Sequence, residues 1–249
     1  MGDGRLTGVT RVDGRSPGAL RPVLMTPDYV RNSDASVLVD WGGTKILCTA
    51  NWSDMVPLFA KERGRGWLTA EYGMLPGSTS GRTDRERRGP SGRTAEIQRI
   101  VARSLRAVVD LGALKDRALL LDCDVLQADG GTRCASVTGG FVAASIAVNR
   151  AVAAGRLRAQ PWKANVAAVS VGILGLDVLL DLCYVEDSQA DVDLNVILTD
   201  KGDYVEIQGT AEARPFSEAQ LQEMLALARA GAPAIFAEQK RAIAAAKPS

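Results

Sequence analysis

The chain of 249 residues contains no histidine. A Ser-His-Asp triad, a Cys-His nucleophile pair and a zinc centre with imidazole ligands are therefore excluded. Proton transfer near neutral pH must fall to a carboxylate, lysine, tyrosine, cysteine or metal-bound water. Cysteine is scarce: Cys48, Cys123, Cys134 and Cys183 are scattered through apolar stretches, with no Cys-x-x-Cys pair. That usage predicts reduced core residues of a cytoplasmic protein, not a disulfide framework or a zinc knuckle. Long apolar runs are also missing. Val166 to Leu174 is too short to span a bilayer, and Phe141 to Val148 is closed by Asn149 and Arg150. The opening Met1-Gly2-Asp3-Gly4-Arg5 carries no apolar segment, so neither a secretory signal nor a membrane partner is expected. Charge of one sign is not in excess: 30 basic against 29 acidic residues leave +1, so only the distribution of charge bears on nucleic-acid binding.

What is present is an ordinary globular composition, 46% hydrophobic and 24% charged, which excludes disordered and fibrous classes. Residues before about Ser36 are rich in Gly, Arg and Pro and read as an irregular lead-in. Val37 to Trp41 and Thr44 to Thr49 flank Gly42-Gly43 and predict a tight hairpin. Trp67 to Tyr72 reads as a strand, and Gly77 to Gly92 as a long loop without periodicity. Apolar Ile97, Val101, Leu105 and Val108 predict a helix over about Thr94 to Leu111, with Glu96 in its first turn. A strand over Arg117 to Gln127 and a buried helix over Thr132 to Ala154 follow. Four strands are expected at Ala164 to Leu174, Val178 to Glu186, Val192 to Thr199 and Tyr204 to Gly209. A terminal helix from Ser217 to about Lys247 completes a mixed α+β or α/β chain, bent near Pro233. Strands followed by a helix recur in both halves, about 1–155 and 156–249, which hints at duplication.

Three segments could carry chemistry. Ala128-Asp129-Gly130-Gly131-Thr132-Arg133 follows a strand and opens a helix, where glycines and free N–H groups suit an anion. The plain alternative is a strand-to-helix turn with Thr132 as N-cap and Arg133 solvated. The acidic run Asp181, Glu186, Asp187, Asp191 and Asp193 is the second. Alternation places Asp191, Asp193 and Asn195 on one strand face, and Asp181 and Asp187 share parity if the preceding strand extends that far. Such carboxylates could gather around a hard cation such as Mg²⁺, or form a solvated face with an acidic hairpin tip. Third, Arg82, Arg85, Arg87, Arg88 and Arg93 cluster on the long loop and continue as Arg99, Arg103 and Arg106 on the helix. They suit a phosphodiester backbone, or a solvated or interface loop. Anion site, metal site and polyanion grip together point to phosphoryl chemistry on nucleic acid.

Longer blocks carry a family resemblance. Asp13-Gly14-Arg15, Leu20-Arg21-Pro22, Gly66 through Pro76, Ser91 through Arg99, Leu121 through Arg133, Glu186-Asp187-Ser188, Val192 through Val196 and Glu206 through Thr210 occur in the family's order. The chain resembles ribonuclease PH, the phosphate-dependent 3′-to-5′ exoribonuclease family that trims tRNA precursors. The resemblance covers nearly the whole sequence and implies a single domain with a duplicated βαβα-type fold, of the ribosomal protein S5 domain 2-like kind, with mixed sheets packed on helices.

At matching positions it implies that Arg93 and Gly131, Thr132 and Arg133 bind phosphate. Asp187 and Asp193 look like the catalytic and metal-supporting pair shared with polynucleotide phosphorylase, with Mg²⁺ as cofactor. Asn195 stands where that enzyme has lysine, which favours the ribonuclease PH branch. Arg82, Arg85, Arg87, Arg88 and Arg99 match RNA-gripping positions, and Cys134 replaces a threonine common among relatives. The implied partners are tRNA precursors, inorganic phosphate and nucleoside diphosphates, and the implied assembly is a homohexamer of three dimers. A hydrolytic metal-dependent exonuclease and a non-catalytic RNA-binding ring subunit are the competing expectations.

Overall fold

The computed structural model describes residues 11–248. The N-terminal pentapeptide lies outside the described residues. Among the described residues nine strands form two sheets, packed with six helices. The first sheet holds β1 (Val23–Pro27), β2 (Ala35–Trp41), β3 (Thr44–Ser53), β4 (Trp67–Met74) and β5 (Ala118–Gln127) in the order β1-β2-β3-β5-β4. Only β4 and β5 run parallel; the other pairs are antiparallel. The second holds β6 (Val166–Leu174), β7 (Asp177–Leu180), β8 (Val192–Thr199) and β9 (Tyr204–Ala211) in the order β7-β6-β8-β9, all antiparallel.

Between the sheets lies α4 (Thr132–Ala153), which contacts strands of both. It is apolar on nearly every side and long enough by composition to cross a membrane, yet 83% of its apolar window is buried inside the fold. A helix hydrophobic all round belongs in a core. Gly139 brings it close to the first sheet: a Cβ there would lie 2.3 Å from Val39 Cγ2. On the first sheet's helical side α2 (Gly92–Val108) packs against β4 and α4, and α6 (Glu218–Ala245) covers β1, β6 and β7. Ser217 and Gln220 form a capping box at the start of α6.

Several expectations change. The lead-in is not wholly irregular: β1 pairs along β2, an edge position where Pro27 at the strand's end and Pro22 just before it are tolerated. Two one-turn helices, α1 (Leu58–Lys61) and α3 (Leu111–Leu114), are too short for a period to show. Ser91 caps α2, so Glu96 sits one turn beyond the helix start. The strand expected over Val178 to Glu186 ends at Leu180. Asp181 takes a left-handed φ of 56°, and the chain turns into α5 (Tyr184–Asp187). Asp181 and Asp187 therefore share no strand face.

Candidate active site

The strand β5 delivers Ala128 to Arg133 to the start of α4. Gly130 and Gly131 have φ of 75° and 70°, a conformation that favours glycine. Gly131, not Thr132, is the N-cap, and among the described residues no side chain caps the helix. The first N–H groups of an α-helix lack intrahelical acceptors, so this turn presents free donors.

Three neighbouring segments clamp the turn from behind. Thr44 Oγ1 accepts from the Asp129 N–H at 2.9 Å and donates to Gly130 O at 2.6 Å. Arg21 Nη1 donates to Asp129 O. Asp129 Oδ1 accepts from the Tyr184 N–H at 3.1 Å, tying the turn to α5. Arg21 is buried because Asp181 neutralises it and because Trp41 Nε1 donates to the same carboxylate at 3.0 Å. Asp181 thus leaves the expected metal cluster for a structural ion pair. Glu186 also turns inward: Arg11 donates to its two oxygens at 2.8 and 2.6 Å, both side chains being buried. Burial alone would raise the Glu186 pKa, and the Arg11 fork with the Cys183 N–H more than offsets this, holding it below the usual range.

With Glu186 anchored, Asp187 on the next position of α5 faces a cleft of about 510 Å³. Arg93, Gly131, Thr132, Arg133 and Asp187 all line this one cleft, from α2, α4 and α5. Tyr72 donates to Thr132 Oγ1 at 3.0 Å, which leaves the Thr132 proton free for an anion. Burial raises the Tyr72 pKa, keeping that donor protonated, although Thr132, Arg93 and Arg133 oppose the shift. Arg133 Nη2 lies 3.4 Å from Glu96 and its buried Nε has no partner among the described residues. Glu96 in turn accepts from Gln208 Nε2 at 2.7 Å on β9.

Asp193 projects from β8 on the face shared with Asn195, opposite the buried Val192, Leu194 and Val196. Its pKa is raised by burial first and by the Asp187 charge second. Burial also raises Asp187, against the pull of Arg133, Arg93 and Arg21. The Asp187 charge reaches Asp193, although the cleft itself is lined by Asp187 and Asn195 and not by Asp193. Asn195 Oδ1 accepts a contact from Cys134 Sγ at 3.2 Å. Asp191 lies elsewhere, paired with Arg214 at 3.1 Å.

The arginine loop stays exposed. Arg82 pairs with Asp84 at 2.8 Å, and Glu86 accepts from Thr94 at 2.8 Å, folding the loop back on the start of α2. Arg85 and Arg87 line a second opening beside the cleft that also contains Arg93. Arg88 and Arg99 face solvent, whereas Arg106 packs over Trp67 at 4.7 Å and donates to Leu68 O. Pattern and spacing alone do not single out Arg21, Tyr72, Gln208 or Tyr184, because each acts through a partner distant in sequence.

The model of the 3′ exoribonuclease family, domain 1, matches residues 19–148, and that of domain 2 matches residues 164–231. The chain belongs to the ribonuclease PH family of 3′ exoribonucleases. Its family fold recurs in rice (Oryza sativa) Rrp46, 17% identical, with a TM-score of 0.76 over 94% of this chain and 100% of that one. A chain of the Archaeoglobus fulgidus exosome with RNA bound to the active site is 22% identical, with a TM-score of 0.74 over 92% and 90%. A chain of an archaeal exosome core is 21% identical, with a TM-score of 0.74 over 92% and 91%. At such identities the likeness establishes the shared fold.

Proposed function

We propose that this ribonuclease PH family member is a phosphate-dependent 3′-to-5′ exoribonuclease acting on tRNA precursors and other structured RNA. The observation that carries the reading is the single cleft shared by Arg93, the Gly131-Thr132-Arg133 turn and Asp187. A tetrahedral dianion placed there meets two guanidinium groups, a hydroxyl proton and a helix N-terminus. Inorganic phosphate so held attacks the terminal phosphodiester. The last nucleotide leaves as a nucleoside 5′-diphosphate, and the shortened RNA regains a 3′-hydroxyl. One phosphate linkage replaces another, so the reaction is reversible and the chain is equally a nucleotidyltransferase.

Two anions must meet for this to occur, and positive charge is the chief catalytic resource. Glu96 holds Arg133 without fully neutralising it, at 3.4 Å, and Gln208 fixes Glu96. Asp187 and Asp193 suit a divalent cation: both are oxygen donors, and burial of both, with the Asp187 charge acting on Asp193, disfavours their ionised forms until a counter-charge arrives. Among the described residues no group of three or more acidic, cysteine or histidine side chains encloses a metal. A two-carboxylate set suits Mg²⁺, which keeps water and substrate oxygens as its other ligands. When bound there it would neutralise charge on the reacting phosphates. The raised pKa of the aspartate pair suits one of them to hold the proton that the leaving 3′-oxygen requires.

The exposed Arg82, Arg85, Arg87 and Arg88, with Arg99, would hold the RNA body through its phosphates. The shared fold with exosome chains favours a ring, here a homohexamer, and four free buried thiols suit the cytoplasm. The test is digestion of a 3′-extended tRNA with Mg²⁺, with and without phosphate, and identification of the released nucleotide. Nucleoside diphosphates formed only with phosphate are expected. Monophosphates formed in its absence would reveal a hydrolase, and no product at all a non-catalytic ring subunit.

A further inference from the structure

Tyr184 is the first residue of α5, and 61% of it is open to solvent. It lines the same cleft as Arg93, Thr132, Arg133 and Asp187. Core packing does not account for it: among the described residues its ring meets neither another aromatic ring nor a guanidinium face. Its backbone, by contrast, is held tightly. The Tyr184 N–H donates to Asp129 Oδ1, and a Cβ at Gly130 would sit 2.7 Å from Leu182 O and 2.9 Å from Tyr184 N. A wide apolar ring on an anchored backbone loses little freedom when a flat partner settles on it.

Position within α5 says what that partner is. Tyr184 and Asp187 are i and i+3, so they share a helix face with Cβ atoms about 5–6 Å apart. Asp187 faces the arginines that hold the reacting phosphate. A nucleotide whose phosphate is held by Arg93 and Arg133 lies in the one cleft that Asp187 and Tyr184 also line, so its base has the Tyr184 ring within the same walls. Met74, at the end of β4, adds an apolar side chain to the same cleft.

We propose that Tyr184 is the stacking surface for the base of the RNA 3′-terminal nucleotide, the one being removed. This deepens the phosphorolytic reading of the cleft and rests on it. Stacking is indifferent to base identity because every base offers a π-face, so the subsite would register any 3′ nucleotide without selecting its sequence.

The test compares wild type, Tyr184→Ala and Tyr184→Phe on two oligoribonucleotides that differ only in whether the 3′-terminal nucleotide carries a base. With the base present, Tyr184→Ala is expected to raise the KM for RNA about 5- to 150-fold, the loss of one base–aromatic stack. The KM for phosphate should stay unchanged, and Tyr184→Phe should restore the wild-type KM for RNA. Wild type should disfavour the abasic end, and Tyr184→Ala should not distinguish the two substrates. The inference is overturned if Tyr184→Ala matches wild type, if Tyr184→Phe is as impaired as Tyr184→Ala, or if wild type ignores the missing base. It is also overturned if Tyr184→Ala changes the oligomer mass in solution, which would make the ring a contact between copies. A wild type that cleaves without phosphate would instead remove the underlying functional reading.

Discussion

Arg21 and Asp181 are bound to each other by three hydrogen bonds behind the wall of the cleft. The Arg21 N–H and Nη2 each donate at 2.7 Å to different carboxylate oxygens, and Nε donates at 3.1 Å. Both residues are buried, and the remaining Nη1 reaches Asp129 O in the anion turn. Through this pair the end of β7 and the turn before α4 are held in register.

Removing one partner of such a pair leaves a buried charge uncompensated. Asp181→Ala is expected to cost about 3–5 kcal/mol in urea unfolding. Arg88→Ala, on the exposed loop, should stay within about 0.5 kcal/mol of wild type. Similar midpoints for the two variants would show that the pair does not support the fold.

Arg93 and Arg133 line the cleft from different helices, α2 and α4. Losing one charge-assisted contact to phosphate is worth about 1.5–3 kcal/mol, so Arg93→Ala or Arg133→Ala should raise the KM for phosphate roughly 10- to 150-fold. Affinity for RNA, measured by filter binding without phosphate, should fall much less. Equal losses in both measurements would contradict the assigned roles.

On the proposed function, the aspartate pair should make stability depend on pH and on Mg²⁺. Both carboxyls have folded-state pKa values above the ordinary 3.8, Asp187 through burial and Asp193 through burial and the Asp187 charge. The folded chain then binds more protons than the unfolded chain between these values. Stability declines as pH rises from 3.8 through the raised values and stays lower above them. At pH 7 in metal-free buffer Asp187→Asn should therefore raise Tm slightly, the gain in stability being less than about 1 kcal/mol because the site opens to solvent. Mg²⁺ is expected to raise the Tm of wild type, and the same variant should lose that increase. A lower Tm than wild type in chelator would refute the sign. Arg133 lowers both carboxyls, so Arg133→Ala should shift the acid limb of the pH–rate profile to higher pH.

The loop arginines act at longer range. Replacing Arg82, Arg85, Arg87 and Arg88 together with alanine should reduce the slope of log K against log salt for structured RNA by about 3–4. Stability should hardly change, since all four side chains are exposed. An unaltered slope would place the RNA body elsewhere on the chain.

Much of this was legible along the chain because it depends on neighbours in sequence. Val192 to Val196 alternates and apolar Ile197 and Leu198 follow, and β8 spans Val192–Thr199; the apolar stretch from Thr132 onward is α4. Gly130-Gly131 after a strand marks the turn into α4, since positive φ at two successive residues excludes most other side chains. Arg93, Thr132 and Arg133 are donors by residue type, and that type shows in the sequence before any contact does.

The tertiary structure decided what each charged group is for. Asp181 and Asp187 look alike in a run of acids, yet Asp181 is buried against a guanidinium 160 residues away, while Asp187 opens into the cleft. A period-two reading carries β7 past Leu180 because it has no term for one residue turning left-handed. Glu186 faces inward only because Arg11 can reach it, and Tyr184 faces the cleft only because Asp129 holds its amide. By itself the sequence determined the longer elements and the chemical menu, with histidine absent from it, because propensity and residue type are local. Which carboxylate is buried and which is exposed to a ligand depends on partners brought together from opposite ends of the chain, and only the fold brings them.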